Sequence, residues 1–184
     1  MITSMDTDHL SALRDWLRSV SVRDASSGPT IPLTLDQVLT VIERELGSFS
    51  SLGFRQLTKD MVHNYIKAGL VSPSVGRRYN SDHVFLLYLI SLIKTVLPIA
   101  SIVDAVGAVE NVSALSQRFA QGAEEEFRLI AHELSAVEKT IREDPQRAAE
   151  LALRFATMAT AYQGAARALI ADIKTGKKND REKM

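Results

Sequence analysis

Lys59, His63 and Lys67 stand four residues apart, with Asp60 and Asn64 beside them. On a helix that spacing gathers them into one stripe. Hydrogen-bonding side chains on a short, firmly anchored helix are what reading base edges in a major groove requires. An ordinary solvated helix face would look the same. Ten residues past Lys67, Arg77 and Arg78 lie side by side between Gly76 and Tyr79. Two guanidinium forks at a loop tip match phosphate oxygens and make a natural phosphate clamp. From Arg55 to Tyr79 the cations Arg55, Lys59, Lys67, Arg77 and Arg78 stand against Asp60 alone, a local +4 in a chain of formal net charge +0. Such asymmetry is a usable signal for nucleic acid. With Thr58 at the start of the stripe and Tyr79 closing the tip, the candidate DNA-binding set is Arg55, Thr58, Lys59, His63, Asn64, Lys67, Arg77, Arg78 and Tyr79.

The elements that must hold these side chains follow from local chemistry. Thr58 is a good N-cap, Leu57 and Val62 have the spacing of a hydrophobic staple, and Gly69 suits a helix end, which places a short helix over Lys59 to Ala68. Met61, Val62, Tyr65 and Ile66 form its apolar face. Pro73 biases Ser72 toward extended angles, Ser74-Val75-Gly76 can turn, and Arg77-Arg78-Tyr79 returns, so a basic hairpin or wing is expected here. Asn80 or Ser81 then caps a helix to about Val96, whose run of Phe85, Leu86, Leu87, Leu89, Ile90, Leu92 and Ile93 leaves almost no polar face. Upstream, Thr34 caps a supporting helix from Leu35 to Leu46, with Val38, Leu39, Ile42 and Leu46 facing inward. A Ser/Gly-rich connector, Gly47 to Gln56, joins the two leading helices.

These residues resemble a known pattern. His63-Asn-Tyr-Ile-Lys-Ala-Gly-Leu-Val71, then Gly76-Arg-Arg-Tyr79, Leu87 and Ile90, resemble the reading helix, wing and following helix of MerR-type proteins, with His63 standing where that family usually carries Arg. The chain is more similar still to a bacterial family, the domain of unknown function numbered 1836, regarded as MerR-like. The similarity lies in Leu35-Asp-Gln-Val38, Leu57 to Lys67, Gly76 to Tyr79 and Leu92-Ile-Lys94, and spans roughly Leu33 to Val109. The resemblance implies a DNA-binding regulator.

The flanking segments support or dimerise this centre. Asp6 to Val20 is expected as a helix carrying Leu10, Leu13, Trp16, Leu17 and Val20 on one face, capped by Asp6 or Thr7. Trp16 reads as an anchor in the core or an interface, and Ser21 to Pro32 as a linker. Pro98 opens a further helix, Ile99 to Val109. Beyond it, Val112, Leu115, Phe119, Ala123, Phe127, Ile130, Leu134, Val137 and Ile141 repeat at helical spacing. After Asp144-Pro145 a second run follows through Ala148, Leu151, Phe155, Met158, Tyr162, Ala165, Leu169 and Ile173. Together they predict a long antiparallel hairpin. Two such stripes need the first domain or a second copy to cover them, and a homodimer suits a palindromic site. Phe119, Phe127, Phe155, Met158 and Tyr162 are candidates for an effector cavity, with ordinary core packing as the alternative.

Composition narrows the classes. With Cys 0 there is no disulfide frame or thiolate metal site. His9, His63, His83 and His132 are scattered, and no phosphate-loop, dinucleotide or nucleophile-elbow motif occurs. No catalytic, metal or cofactor site is therefore assigned, and Glu124-Glu125-Glu126 reads as a solvated face. The apolar window Val84 to Val103 is interrupted by Lys94 and Pro98, which argues against a membrane span. No signal peptide is seen, so a cytoplasmic protein is expected. The expectation is an all-α chain with a small β-wing, divided into an N-terminal helix and linker (1–32), a MerR-like winged helix-turn-helix domain (33–110), a helical hairpin for dimerisation (111–175) and a disordered tail (176–184). It would be a non-enzymatic regulator bound to double-stranded DNA, its effector unknown. The other class kept open is a protein-interaction module in which the long helices are the working surface.

Overall fold

Every side chain from Phe85 to Ser91 is buried, and the fold is arranged to cover them. The computed structural model describes residues 6–19, 28–46, 55–138 and 144–182. Among these the chain forms seven helices and no strand: α1 (Asp6–Ser19), α2 (Leu35–Leu46), α3 (Lys59–Lys67), α4 (Ser81–Ile93), α5 (Ile99–Val106), α6 (Val112–Glu138) and α7 (Pro145–Glu182). Val20 of the expected first helix, residues 21–27 of the expected linker, 47–54 of the connector, the turn 139–143 with Ile141, and the side chains of Asp6 and Thr7 that would cap α1 lie outside the described residues.

α2, α3 and α4 begin where side chains satisfy their free amides. Thr34 and Gln37 cap α2 reciprocally: Thr34 N–H donates to Gln37 Oε1 (2.9 Å) and Gln37 N–H donates to Thr34 Oγ1 (3.4 Å). Thr58 Oγ1 accepts from Met61 N–H at 3.3 Å at the start of α3, with Leu57 and Val62 both buried as a staple. α3 ends in a Schellman motif, in which Gly69 N–H reaches Ile66 O (3.0 Å), Leu70 N–H reaches Tyr65 O (2.9 Å), and Gly69 takes φ 74.

The main core surrounds α4. Val38 and Ile42 of α2, Val62 and Tyr65 of α3, Leu70 and Val71 after it, Ile102 of α5 and Ala120 of α6 close on Phe85 to Ile90. Each fully buried aliphatic side chain is worth about 1.5–3 kcal/mol, so α4 contributes more than any surface contact. Ser91, polar and 2% exposed, donates its hydroxyl to Leu87 O within the helix (2.8 Å). A second, smaller cluster joins α1 to the far half of α6 through Leu17, Ala131 and Leu134, with Trp16 and Phe127 rings 5.4 Å apart. Arg14 pairs with Glu138, and Arg18 Nη2 donates to Ser135 Oγ at 2.8 Å. Trp16 is thus an anchor between helices.

The C-terminal hairpin differs from its expectation. α7 does run back along α6, since Arg154 pairs with Glu133 and, further on, Lys174 Nζ lies 3.3 Å from Asp104 of α5. Yet none of the described side chains of α7 is buried. Met158 (47%), Tyr162 (60%) and Leu169 (65%) of its apolar stripe are open to solvent. The reason is competition: α1 occupies the apolar face of α6 that a tight hairpin would use. α7 also continues as helix through 176–182, where a disordered tail was expected.

The expected β-wing is a tight turn. Val75 and Arg78 form an isolated bridge, Arg78 N–H donating to Val75 O (3.0 Å), around Gly76 (φ 57) and Arg77 (φ 60). Two positive φ angles mark the primed hairpin turn that matches strand twist. No ladder grows from it, because Pro73 has no amide to give and the helix cap at Asn80 ends the returning arm. Tyr79 pairs instead with Leu33, in both directions (2.8 and 2.9 Å).

Two measurements check these points. Burial, and secondarily Glu45, pushes the Tyr88 hydroxyl up from 10.0 to about 12. A raised folded value means this stabilisation is complete below pH 10 and is lost as pH climbs through 12. A denaturant series across that window should show up to about 3 kcal/mol lost, and Tyr88→Phe should flatten it. At Gly76 a Cβ would meet nothing within 4 Å, so Gly76→Ala carries only the left-handed backbone cost. Its denaturation midpoint should correspond to about 1 kcal/mol of destabilisation.

Candidate nucleic-acid interface

The polar stripe and the tip reach solvent, while the apolar residues that anchor α3 and the chain after it are buried. Arg55, Thr58, Lys59, His63, Asn64, Lys67, Arg77 and Arg78 are all exposed. Val62, Tyr65, Leu70 and Val71, interleaved with them, are buried. α3 is therefore pinned by one face with its donors outward. Thr58 has a second duty, since its hydroxyl caps the helix.

Tyr79 does not belong to this surface. It is 4% exposed, and its ring stands edge-on to His83 with centroids 5.6 Å apart. Returning from the tip, the chain must enter the core before α4 begins, so the residue after Arg78 points inward. What Tyr79 supplies is position, because its backbone bridge to Leu33 moors the returning arm beside the start of α2.

The outgoing arm has its own mooring, which the sequence reading passed over. His83 is 6% exposed and completes a reciprocal cap on α4: Asn80 N–H donates to His83 Nδ1 (3.2 Å) and His83 N–H donates to Asn80 Oδ1 (3.1 Å). With Nδ1 accepting, Nε2–H faces Ser72 Oγ at 3.2 Å. His83 thereby ties the arm before the turn to the helix after it. The signal was available, because a polar residue on a helix buried all round must find partners, and it falls three positions after an Asn.

Local charge is also more structured than a count suggests. Lys59 Nζ lies 2.6 Å from Asp36 Oδ1, an exposed pair between the first turns of α3 and α2. Exposed pairs of this kind contribute at most about 1 kcal/mol, so Lys59 stays available to another anion. Lys94, at the C-cap of α4, donates to the carbonyl of Arg55 at 3.4 Å. Burial first, and the Arg55 charge second, lower its pKa from 10.5. Lys94 is the one cation inside the apolar window Val84 to Val103, which is how sequence could have singled it out.

The effector-cavity residues are only partly brought together. A cavity of about 650 Å³ opens between α1, α6 and α7, and Phe155, Met158 and Tyr162 line it with Leu13 and Leu17. Phe119 packs instead against the main core, edge-on to Phe85, and Phe127 joins the main core to the second cluster. Those two rings face inward because α6 has already spent that side on α4 and α1. Among the described residues no group of three His, Asp or Glu side chains could hold a metal ion, and no helix is long and apolar enough to cross a membrane.

Comparison with curated proteins and with solved structures finds no match for this chain. A family model does match, over residues 25–123. That span holds every buried residue of the main core, from Val38 to Ala120, together with α3, the tip and Lys94. The second cluster, Leu17, Ala131 and Leu134, lies wholly outside it. On this match over more than half its length, the chain belongs to the family described as Domain of unknown function (DUF1836).

Proposed function

We propose that this protein is a DNA-binding regulator that lays α3 in the major groove of duplex DNA and holds the backbone with the Gly76–Arg78 tip, in the manner of a MerR-like helix-turn-helix. The observation that carries it is the sorting along residues 55–78: the donors and cations are outward, while Val62, Tyr65, Leu70 and Val71 are buried in the core around α4. Lys59, His63, Asn64 and Lys67 face base edges or flanking phosphates, and Arg55, Arg77 and Arg78 hold the backbone. Phosphate contacts position the protein and base contacts specify the sequence. The turn that carries the arginines is moored on both arms, by Tyr79 to Leu33 and by Ser72 to His83, and a pre-set clamp loses little entropy on binding.

A homodimer completes this proposal, since a two-fold reader matches a palindromic site. The open apolar stripe of α7 supports it. The same stripe is the observation in favour of a second reading, a protein-interaction module whose long helices do the work.

Selection of bound duplexes from a random pool at near-physiological salt separates the two readings. Enrichment of a palindrome by the parent, and none by the Lys59/Arg77/Arg78 triple alanine variant, is the outcome expected of a dimeric reader. No enrichment by either would favour the interaction module. Single variants then test the roles. Arg78→Ala should weaken all duplexes alike and shallow the salt slope by about 1. Asn64→Ala should instead relax preference at one base pair, worth about 1–3 kcal/mol, leaving the slope unchanged. If both bind as the parent does, the surface is misassigned.

A further inference from the structure

We propose that Arg55 and Lys94 form a second phosphate-binding site, at the opposite end of α4 from the tip, so that a phosphodiester backbone is gripped on both sides of α3. This deepens the DNA-binding reading and rests on it.

The first observation is an unusual pairing of like charges. The Lys94 ammonium is brought to the Arg55 backbone by a hydrogen bond of 3.4 Å. Several other cations meet carboxylates, among them Arg14 with Glu138, Lys59 with Asp36, Arg154 with Glu133 and Lys174 with Asp104. Among the described residues neither Arg55 nor Lys94 has a carboxylate partner. The residue after Arg55, Gln56, donates its amide to Glu43 at 2.7 Å. Burial also works against the Lys94 charge, and Arg55 adds to that. A cation held half-buried beside another, with no anion supplied by the fold, is stabilised when an anion arrives from outside.

The second observation is placement. Asn80, immediately after the tip, is the N-cap of α4, and Lys94 is its C-cap. The 13 residues of α4 separate the two by about 20 Å at the standard rise. Arg55 precedes α3 by a few residues and the tip follows it, so the cations bracket the reading helix along the chain. A major groove is about 12 Å wide, so two anchors at this separation can straddle one. Of the three ammonium protons on Lys94, one is spent on the Arg55 carbonyl and the others stay available to phosphate oxygen.

A purely positional role for Lys94 would be to tether the segment before α3, and Lys94→Gln preserves that, since an amide can donate to the same carbonyl. The test is the salt dependence of duplex binding by the parent, Lys94→Gln and Lys94→Arg, with melting temperatures as a check on folding. A second phosphate site predicts that Lys94→Gln, folded as the parent, shallows the slope by about 1 and weakens binding several-fold at 0.1–0.2 M salt. Lys94→Arg should restore both. A slope equal to the parent's in Lys94→Gln, with Arg78→Ala shallow as expected, overturns the second site and leaves the DNA reading standing. If the parent binds no duplex, the DNA reading falls, and inorganic phosphate decides the site. A saturable shift of the Lys94 side-chain resonance that Arg55→Ala abolishes keeps it as a receptor for free phosphate. No shift overturns it.

Discussion

A helix with no face left for water dictates the rest of this molecule. From Phe85 to Ser91 α4 has nothing to offer solvent, and a bare apolar cylinder is unstable until it is covered on every side. α2, α3, α5 and the first half of α6 are the cover. Their loops, caps and orientation follow from that demand. α3 is short because it needs only one buried face, and its other face is what remains for a ligand. The two basic regions stand where they do because one precedes α4 and the other ends it.

Most of that core was legible in the residues. The apolar spacing of α2, the staple of Leu57 and Val62, the caps at Thr34, Thr58 and Asn80, and Gly69 at the end of α3 are local signals, and local chemistry decides them. The surface stripe followed, because a side chain opposite a buried face has nowhere to go but outward. The readings that went astray concern partners rather than elements. Periodicity says that one side of α6 is apolar, but not whether α1 or α7 will lie against it. α1 takes that side, and α7 is left open. Tyr79 looked like part of the basic tip by position, yet a bridge to Leu33, 46 residues earlier in the chain, turns it inward. The same long-range contact replaces the expected wing ladder.

Buried and half-buried polar side chains are the other class that pattern alone undervalues. His83 and Lys94 sit at the two ends of α4 and each makes one contact to a distant segment, Ser72 and the Arg55 carbonyl. Both help to explain why the tip and the approach to α3 are held against the core rather than hanging from it.

The bond between Arg14 or Ser11 and Glu138 spans 124 or 127 residues of chain. Closing a loop that long costs entropy that grows with the logarithm of its length, and it becomes cheap only once α2 to α6 have folded and brought the ends near. The main core, whose buried residues run from Val38 to Ala120, carries no such debt to the termini. No residue of that core lies in α1 or α7, whereas the clasp of α1 is made on α6, which the core also uses. Phe127, packed against both clusters, is the side chain that joins the clasp to the core.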